Sequence, residues 1–478
     1  MSTAEAIQAV EKISGALVAR PGSTEYEELR ASYYTELERE LKPACFFTPS
    51  SARDVADIIS AIKPFTEALA SKIAICGAGQ QCTPGVTNVQ DGLTMHLRGL
   101  RGIEIHADRE VVSVGAGERM GDVYEKVMAE GLGVVGNRHS TGGIGGDAVH
   151  GGLSYFSYAR GFVCDNVINY EIVLADGQIV NANATTTSGL FRALKGGSNN
   201  FGIVTRYDLR TFRQGQLWGG KILYPEEPSF AGQIQHLVKY LNDPNPDRNV
   251  HICLSIGYIP TGQMMAMNDI FCTRPEKPDA LKPFADIEEQ MSKPLRVGNL
   301  EEFTDESYAG AVKNRVTKMT TIVKADVEVL QYALHTFKER YTKLKDAKVE
   351  NLLWSLSFEP IPVSLIKQSD LHGGNSLGLT PSDGPLVVVL LYTSWANARS
   401  DALINEVNRS VLADIEAHAR EKGAYSPYLY MNYAYPGRQD AIASYGLESK
   451  ARLRDVSESY DPDGFFQKAG VGPWKIRL

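Results

Sequence analysis

Residues 136–181 read GNRHSTGGIGGDAVHGGLSYFSYARGFVCDNVINYEIVLADGQIVN. Seven glycines fall in its first part: Gly136, Gly142, Gly143, Gly145, Gly146, Gly151 and Gly152. An alternating apolar strand, 167–174, comes next, and Ala175-Asp176-Gly177 closes it as a turn. Glycine permits positive φ and lets backbone approach a ligand closely. So many glycines beside a strand point to backbone amides wrapped around an anion or a flat ring. The plainer alternative is a set of tight turns between strands.

Upstream, 73–76 reads as a strand and runs into GAGQQCTPGVTN, residues 77–88. A third glycine cluster, VVSVGAGERMGD at 111–122, lies between a strand and a helix, where a dinucleotide fingerprint would lie. Its spacing is GxGxxxG, and Glu130 falls inside the helix and not at the end of a second strand. A strand-to-helix turn is therefore the better reading. Ser51 followed by Asp54 has the form of a capping box for a helix to about residue 62. Segments 4–18 and 24–40 read as helices. Up to residue 212 the chain is α+β, with short strands and many glycine turns.

From about residue 213 the texture changes. Long strands (219–224, 250–259, 264–272, 349–360, 386–395) alternate with helices at 325–344 and 398–422. Two-residue alternation predicts an antiparallel sheet with one face covered by helices. Near residue 426 glycine, tyrosine and polar residues return, then a helix to residue 460.

At 478 residues, two or three lobes are expected. Net charge is −8, with no cluster of Lys and Arg, so a nucleic-acid partner is not expected. The longest apolar run, 385–392, is too short to span a bilayer, so no membrane partner is expected either. The start reads as an amphipathic helix and not a signal peptide. Six scattered cysteines without CxxC spacing argue against a metal site and fit a reducing, cytoplasmic setting.

Six segments, in order, resemble one family: FFTPSSARDVADII, GAGQQCTPGVTN, IGGDAVHGGLSYFSYARGFVCDNVINYEIVLADG, LFRALKGGSNNFGIVT, YMNY and SYDPDGFFQ. The chain resembles FAD-linked oxidoreductases of the vanillyl-alcohol oxidase (PCMH-type) superfamily, specifically the fungal berberine-bridge-enzyme-like proteins. The resemblance implies a split FAD-binding domain, 1–212 with a C-terminal return at 427–478, around a substrate domain at 213–426.

It also implies site residues. Cys76, Gly77, Ala78, Gly79, Gln80 and Gln81 would meet the FAD pyrophosphate through backbone N–H groups. Gly142, Gly143, Gly145 and Gly146 would lie on the cofactor's other side, with Val204 and Asn432 also against it. In most members a histidine stands where this chain has Gln80 and bonds covalently to the flavin. An amide is no such nucleophile, so non-covalent FAD is expected. His139 stands where some members carry a second, cysteinyl link. It is open among an acid/base group, a hydrogen-bond partner of flavin or substrate, and a structural histidine.

Tyr433 matches the tyrosine that often acts as base. Its phenol needs a cation or donor nearby, for which Arg438 is a candidate. The alternative is a tyrosine that only packs. Glu359 and Tyr392, on the central strands, are candidates for the substrate cavity, against the alternatives of a surface carboxylate and core packing.

The implied activity is oxidation of a small organic molecule, an intermediate of specialised metabolism. A base removes a proton, hydride passes to flavin N5, and O2 or another acceptor reoxidises the flavin. A cyclase or isomerase without net redox change is the alternative, and an inactive flavin-binding homologue a third.

Overall fold

The computed structural model describes residues 2–14, 17–70, 72–291, 295–306, 314–436 and 439–477. Three sheets organise them. The first is four-stranded, in the order Val18–Ala19, Cys45–Phe47, Leu93–His96, Ile73–Cys76, and its last three strands are parallel. The helix Ala52–Ile62 starts on the expected capping box. Asp54 N–H donates to Ser51 Oγ at 3.1 Å, and Ser51 N–H to the Asp54 carboxylate at 3.0 Å.

The second sheet is antiparallel and six-stranded. Ile203–Arg213 lies between Val111–Gly115 and Val167–Val173, with Ile103–Ile105 and Ile179–Asn183 at the edges. Leu132–Val134 also pairs with Ile203–Arg213. This explains the third glycine cluster. Val111–Gly115 belongs to an antiparallel sheet, not a parallel dinucleotide fold. A Cβ on Gly115 would sit 2.3 Å from the Leu100 carbonyl oxygen, and one on Gly117 2.2 Å from that of Leu97. These glycines admit a crossing chain.

The third sheet holds eight antiparallel strands. Their order is Arg296–Gly298, Leu217–Tyr224, Met264–Cys272, Val250–Tyr258, Leu353–Ile361, Leu386–Trp395, Arg315–Lys324, Tyr425–Ser426. Helices Phe230–Leu241, Val327–Asp346 and Asp401–Glu421 cover one face. Residues 469–474 then return to the first two sheets. Ile73 N–H donates to the Ala469 carbonyl at 2.8 Å, Val471 N–H to that of Ile73 at 2.7 Å, and Asn200 Nδ2 to that of Trp474 at 3.0 Å.

Three local expectations are corrected. The helix read over 4–18 ends at Glu11, and Val18 opens a strand of the first sheet. Segment 24–40 is two helices, Thr24–Ala31 and Glu36–Arg39, because Thr35 leaves helical geometry. Its Oγ1 caps Leu37 and also accepts from Val316 N–H at 2.9 Å on the third sheet, a tertiary bond no local pattern reveals. The glycine stretch contains a helix, Ile144–His150, despite Gly145 and Gly146. Glycine costs roughly 1 kcal/mol in a helix interior relative to alanine. Here a Cβ on Gly145 would press to 3.2 Å on the Tyr207 hydroxyl.

Candidate active site

The strand Ile73–Cys76 delivers the first glycine loop. Gly79 turns at φ +68°, and its carbonyl accepts from Tyr34 N–H at 2.9 Å. Gly77 and Ala78 line a cavity of about 410 Å3 with Gly117, Arg98, Arg101 and Arg119. His96 stands in its wall. Burial, then the charges of Arg98 and Arg119, pulls its imidazole down to about 3, so it is neutral. Cys76 is buried behind the loop, and burial pushes its thiol up to about 12. Gln81 folds back, its Oε1 accepting from Cys82 N–H at 2.8 Å. Gln80 is half-buried in the same turn.

The two glycine regions meet. A Cβ on Gly143 would lie 3.0 Å from the Cβ of Ala78, one on Gly142 would lie 2.6 Å from Asn137 Cγ, and Gly146 has open space. Val204 is buried, paired with Ile172 in the second sheet.

Three segments distant in sequence converge on one cluster. Arg138 Nη2 donates to Glu359 Oε2 at 2.8 Å and to the Tyr433 hydroxyl at 2.7 Å. The Tyr433 hydroxyl donates to Glu359 Oε1 at 3.2 Å. Arg138 comes from the glycine stretch, Glu359 from the central strand Leu353–Ile361, and Tyr433 from the C-terminal return. Side-chain exposure is 13% for Arg138 and 7% for Glu359. Burial pulls the guanidinium down, but the charge of Glu359 outweighs it and keeps Arg138 protonated. For Tyr433, burial raises the phenol well above its ordinary value; Arg138 opposes this and Glu359 adds to it. The phenol is therefore neutral. Lys318 Nζ lies 5.1 Å from its ring centre.

The cation beside the phenol is thus Arg138; Arg438 lies outside the described residues. Sequence reading passed over Arg138 although it stands in the quoted stretch, a lone cation among glycines. His139, next to it, has an exposed side chain, and its backbone N–H donates to Asn137 Oδ1 at 2.8 Å. Tyr392 shares a 2.9 Å hydrogen bond with the Tyr34 hydroxyl. Asn432 Nδ2 donates to Asp147 at 2.9 Å, while its Oδ1 is buried with no partner among the described residues. His150 bonds Ser198 at 2.9 Å, away from the cluster. A larger groove of about 910 Å3, formed by 108–110, 130–132 and 211–215, holds none of these residues.

Known flavoproteins resemble this chain in sequence and in fold. The FAD binding domain family matches residues 43–183. A FAD-dependent monooxygenase of Cochliobolus heterostrophus is 34% identical over 456 residues, covering 93% of this chain and 87% of that protein. One of Fusarium proliferatum is 33% identical, covering 94% and 88%. The chain belongs to the family of these fungal FAD-linked oxidoreductases. The berberine-bridge-enzyme-like 1 protein of Physcomitrella patens shares the fold at a TM-score of 0.78 and 17% identity, over 99% of both chains. The carbohydrate oxidase of Microdochium nivale does so at 0.75 and 20%, over 98% of this chain and 99% of that one.

The residues of this FAD-linked oxidoreductase fit FAD. The cavity at Gly77 and Ala78 offers backbone amides and three arginines to a diphosphate. The partnerless Oδ1 of Asn432 is an acceptor suited to a ring N–H. Among the described residues no helix is long and apolar enough to cross a membrane.

Proposed function

We propose that this enzyme oxidises a small organic molecule at the Arg138–Glu359–Tyr433 cluster, an intermediate of specialised metabolism being the preferred substrate class. The observation that carries this is the three-way contact itself. When bound, FAD supplies a two-electron acceptor that O2 or another acceptor regenerates. The neutral Tyr433 phenol takes a substrate proton as its own proton passes to Glu359, so the carboxylate is the final base. Arg138 stays charged and stabilises negative charge developing on the phenol oxygen. His139, on the same loop, is kept as a candidate second group, and Tyr392 as part of the cavity wall.

FAD-binding parts at 1–212 and 427–478 around a substrate domain at 213–426 remain our proposed division. The six cysteines, all buried and unpaired, support a cytoplasmic setting. Gln80 supports non-covalent FAD. Acid precipitation should leave the yellow colour in the supernatant; colour in the pellet would mean a covalent bond.

The test of the activity is anaerobic mixing with candidate substrates. Bleaching of the flavin supports oxidation, whereas product without bleaching would show a non-redox reaction. The relatives named as monooxygenases favour a second reading, in which oxygen enters the product. Labelled O2 separates the two: label in the product means oxygen transfer, label only in peroxide or water means simple oxidation.

A further inference from the structure

Asp147 lies in the helix Ile144–His150 and is 8% exposed. Each carboxylate oxygen takes one amide. Asn137 Nδ2 donates to Oδ2 at 2.6 Å, and Asn432 Nδ2 donates to Oδ1 at 2.9 Å. Asn137 directly precedes Arg138, and Asn432 directly precedes Tyr433. The two segments are therefore joined by two rungs one residue apart. One is the 2.7 Å bond from Arg138 to Tyr433, and behind it stands Asn137–Asp147–Asn432.

We propose that Asp147 is a positioning residue, whose carboxylate holds the Arg138 loop and the Tyr433 segment in register and fixes the orientation of the Asn432 amide. This rests on the reading of Arg138, Glu359 and Tyr433 as the reacting cluster. An ionised carboxylate only accepts, so both asparagines must turn Nδ2 towards it. Asn137 Oδ1 then faces the His139 N–H at 2.8 Å, and Asn432 Oδ1 faces away, buried and without a protein partner among the described residues. A neutral acid or amide at 147 would donate one hydrogen, and one asparagine would turn over.

The surroundings are built for this clasp. The Tyr124 hydroxyl donates to the Asn137 carbonyl at 2.6 Å. A Cβ on Gly142 would lie 2.6 Å from Asn137 Cγ, and one on Gly152 2.6 Å from Asp147 Cβ. Part of the glycine stretch thus seats the clasp.

None of the ion pairs among the described residues involves Asp147. Burial raises it to about 6, opposed by the Asn137 amide, then by the charges of Arg138 and Lys318. The phenols of Tyr124, Tyr430 and Tyr433 also face it, and burial keeps all three protonated. A buried carboxylate without a directly bonded cation costs stability. The orientation it enforces is what an amide or apolar residue could not supply.

The test uses Asp147→Asn and the exchange Asn137→Asp/Asp147→Asn. The exchange restores both hydrogen bonds of the clasp: the new amide donates to the new carboxylate at position 137 and accepts from Asn432. The FAD content of the purified wild type is measured first; its absence would sink the cofactor reading and the flavin titration, while the tyrosine signal and the melting temperature would still test the clasp. Near-ultraviolet circular dichroism reports the Tyr430–Tyr433 pair, whose ring centres lie 4.8 Å apart, with or without flavin.

Asp147→Asn should change that signal and the exchange should restore it. On holoprotein titrated from about pH 5 to 8, the flavin spectrum should inflect near 6 in wild type and lose the inflexion in Asp147→Asn. Melting temperature at the alkaline end should be equal or higher in Asp147→Asn, because a buried charge is gone. An unchanged tyrosine signal, or a melting temperature lowered at every pH with the inflexion kept, would reduce Asp147 to a structural role and overturn the proposal.

Discussion

The two faces of the eight-stranded sheet are made by alternate residues of the same strands and do opposite work. On the helix side stand Trp354, Leu356 and Phe358, level with Val389 and Leu391 and all fully buried. Trp354 lies 4.2 Å from Phe337 and donates its Nε1–H to Asn408 at 2.8 Å. On the other side the same strands present Ser355, Ser357 and Glu359, with Tyr392 and Lys318 level with Ser355 and Ser255 level with Ser357. One face is an apolar core, and the other gathers charge and hydroxyls beneath the glycine stretch. A one-residue shift in register would exchange them. The sheet is therefore a stability device on its helix-covered face and a chemical surface on the other.

The comparison can be broken first at the chemistry. Tyr433→Phe keeps the ring and removes the proton path to Glu359. Anaerobic flavin reduction by any substrate that bleaches the wild type should slow by about 10²–10⁴-fold, with FAD content unchanged. A rate within a few-fold of wild type at every pH would remove Tyr433 from the mechanism and leave Glu359 or His139 as the base.

On the helix face the loss should appear as stability. Trp354→Ala should cost about 3–5 kcal/mol, read as a lower urea midpoint with unchanged slope. If it slowed flavin reduction in the folded fraction as strongly as Tyr433→Phe, the division between the faces would be wrong.

The smallest effect sharpens the picture. His251 lies on the chemical face, 4% exposed, with neither ring nitrogen partnered among the described residues. Burial, then the charges of Arg138 and Lys221, holds its imidazole neutral far below the ordinary range. The unfolded chain takes up this proton near about 6.5. The neutral ring's contribution is therefore complete above that pH and lost as pH falls below it, at up to about 1.4 kcal/mol per pH unit. His251→Phe should flatten this part of the acid limb in denaturation curves taken across that range. An unchanged limb would mean that the ring protonates freely in the folded protein.

Much of the architecture could be read locally. The strand Met264–Cys272 falls where its alternation put it, and the capping box at Ser51 and Asp54 formed as written. The α+β class and the helix-covered antiparallel sheet followed from the change of period near residue 213. The helix Ile144–His150 was hidden because its glycines mimic a loop. The break at Thr35 was hidden because its cause, Val316, lies 281 residues away. Tyr433 could be singled out through the family resemblance, and Glu359 by its place on a central strand. Arg138 could not be tied to either, since its bond to Glu359 spans 221 residues and that to Tyr433 spans 295. Nothing local to Asp147 marks it as the tie between two loops.

The sequence by itself determined what each segment is: which residues alternate, where glycine lets chains cross, and which set of motifs marks an FAD-binding chain. These properties depend on neighbours a few residues apart. The tertiary structure alone decided that Arg138, Glu359 and Tyr433 share one set of hydrogen bonds and that Asp147 ties the loops carrying two of them. Burial then decided their charges, keeping the phenol neutral and the guanidinium charged. Desolvation and pairing depend on what lies across the fold, and local sequence carries no record of that.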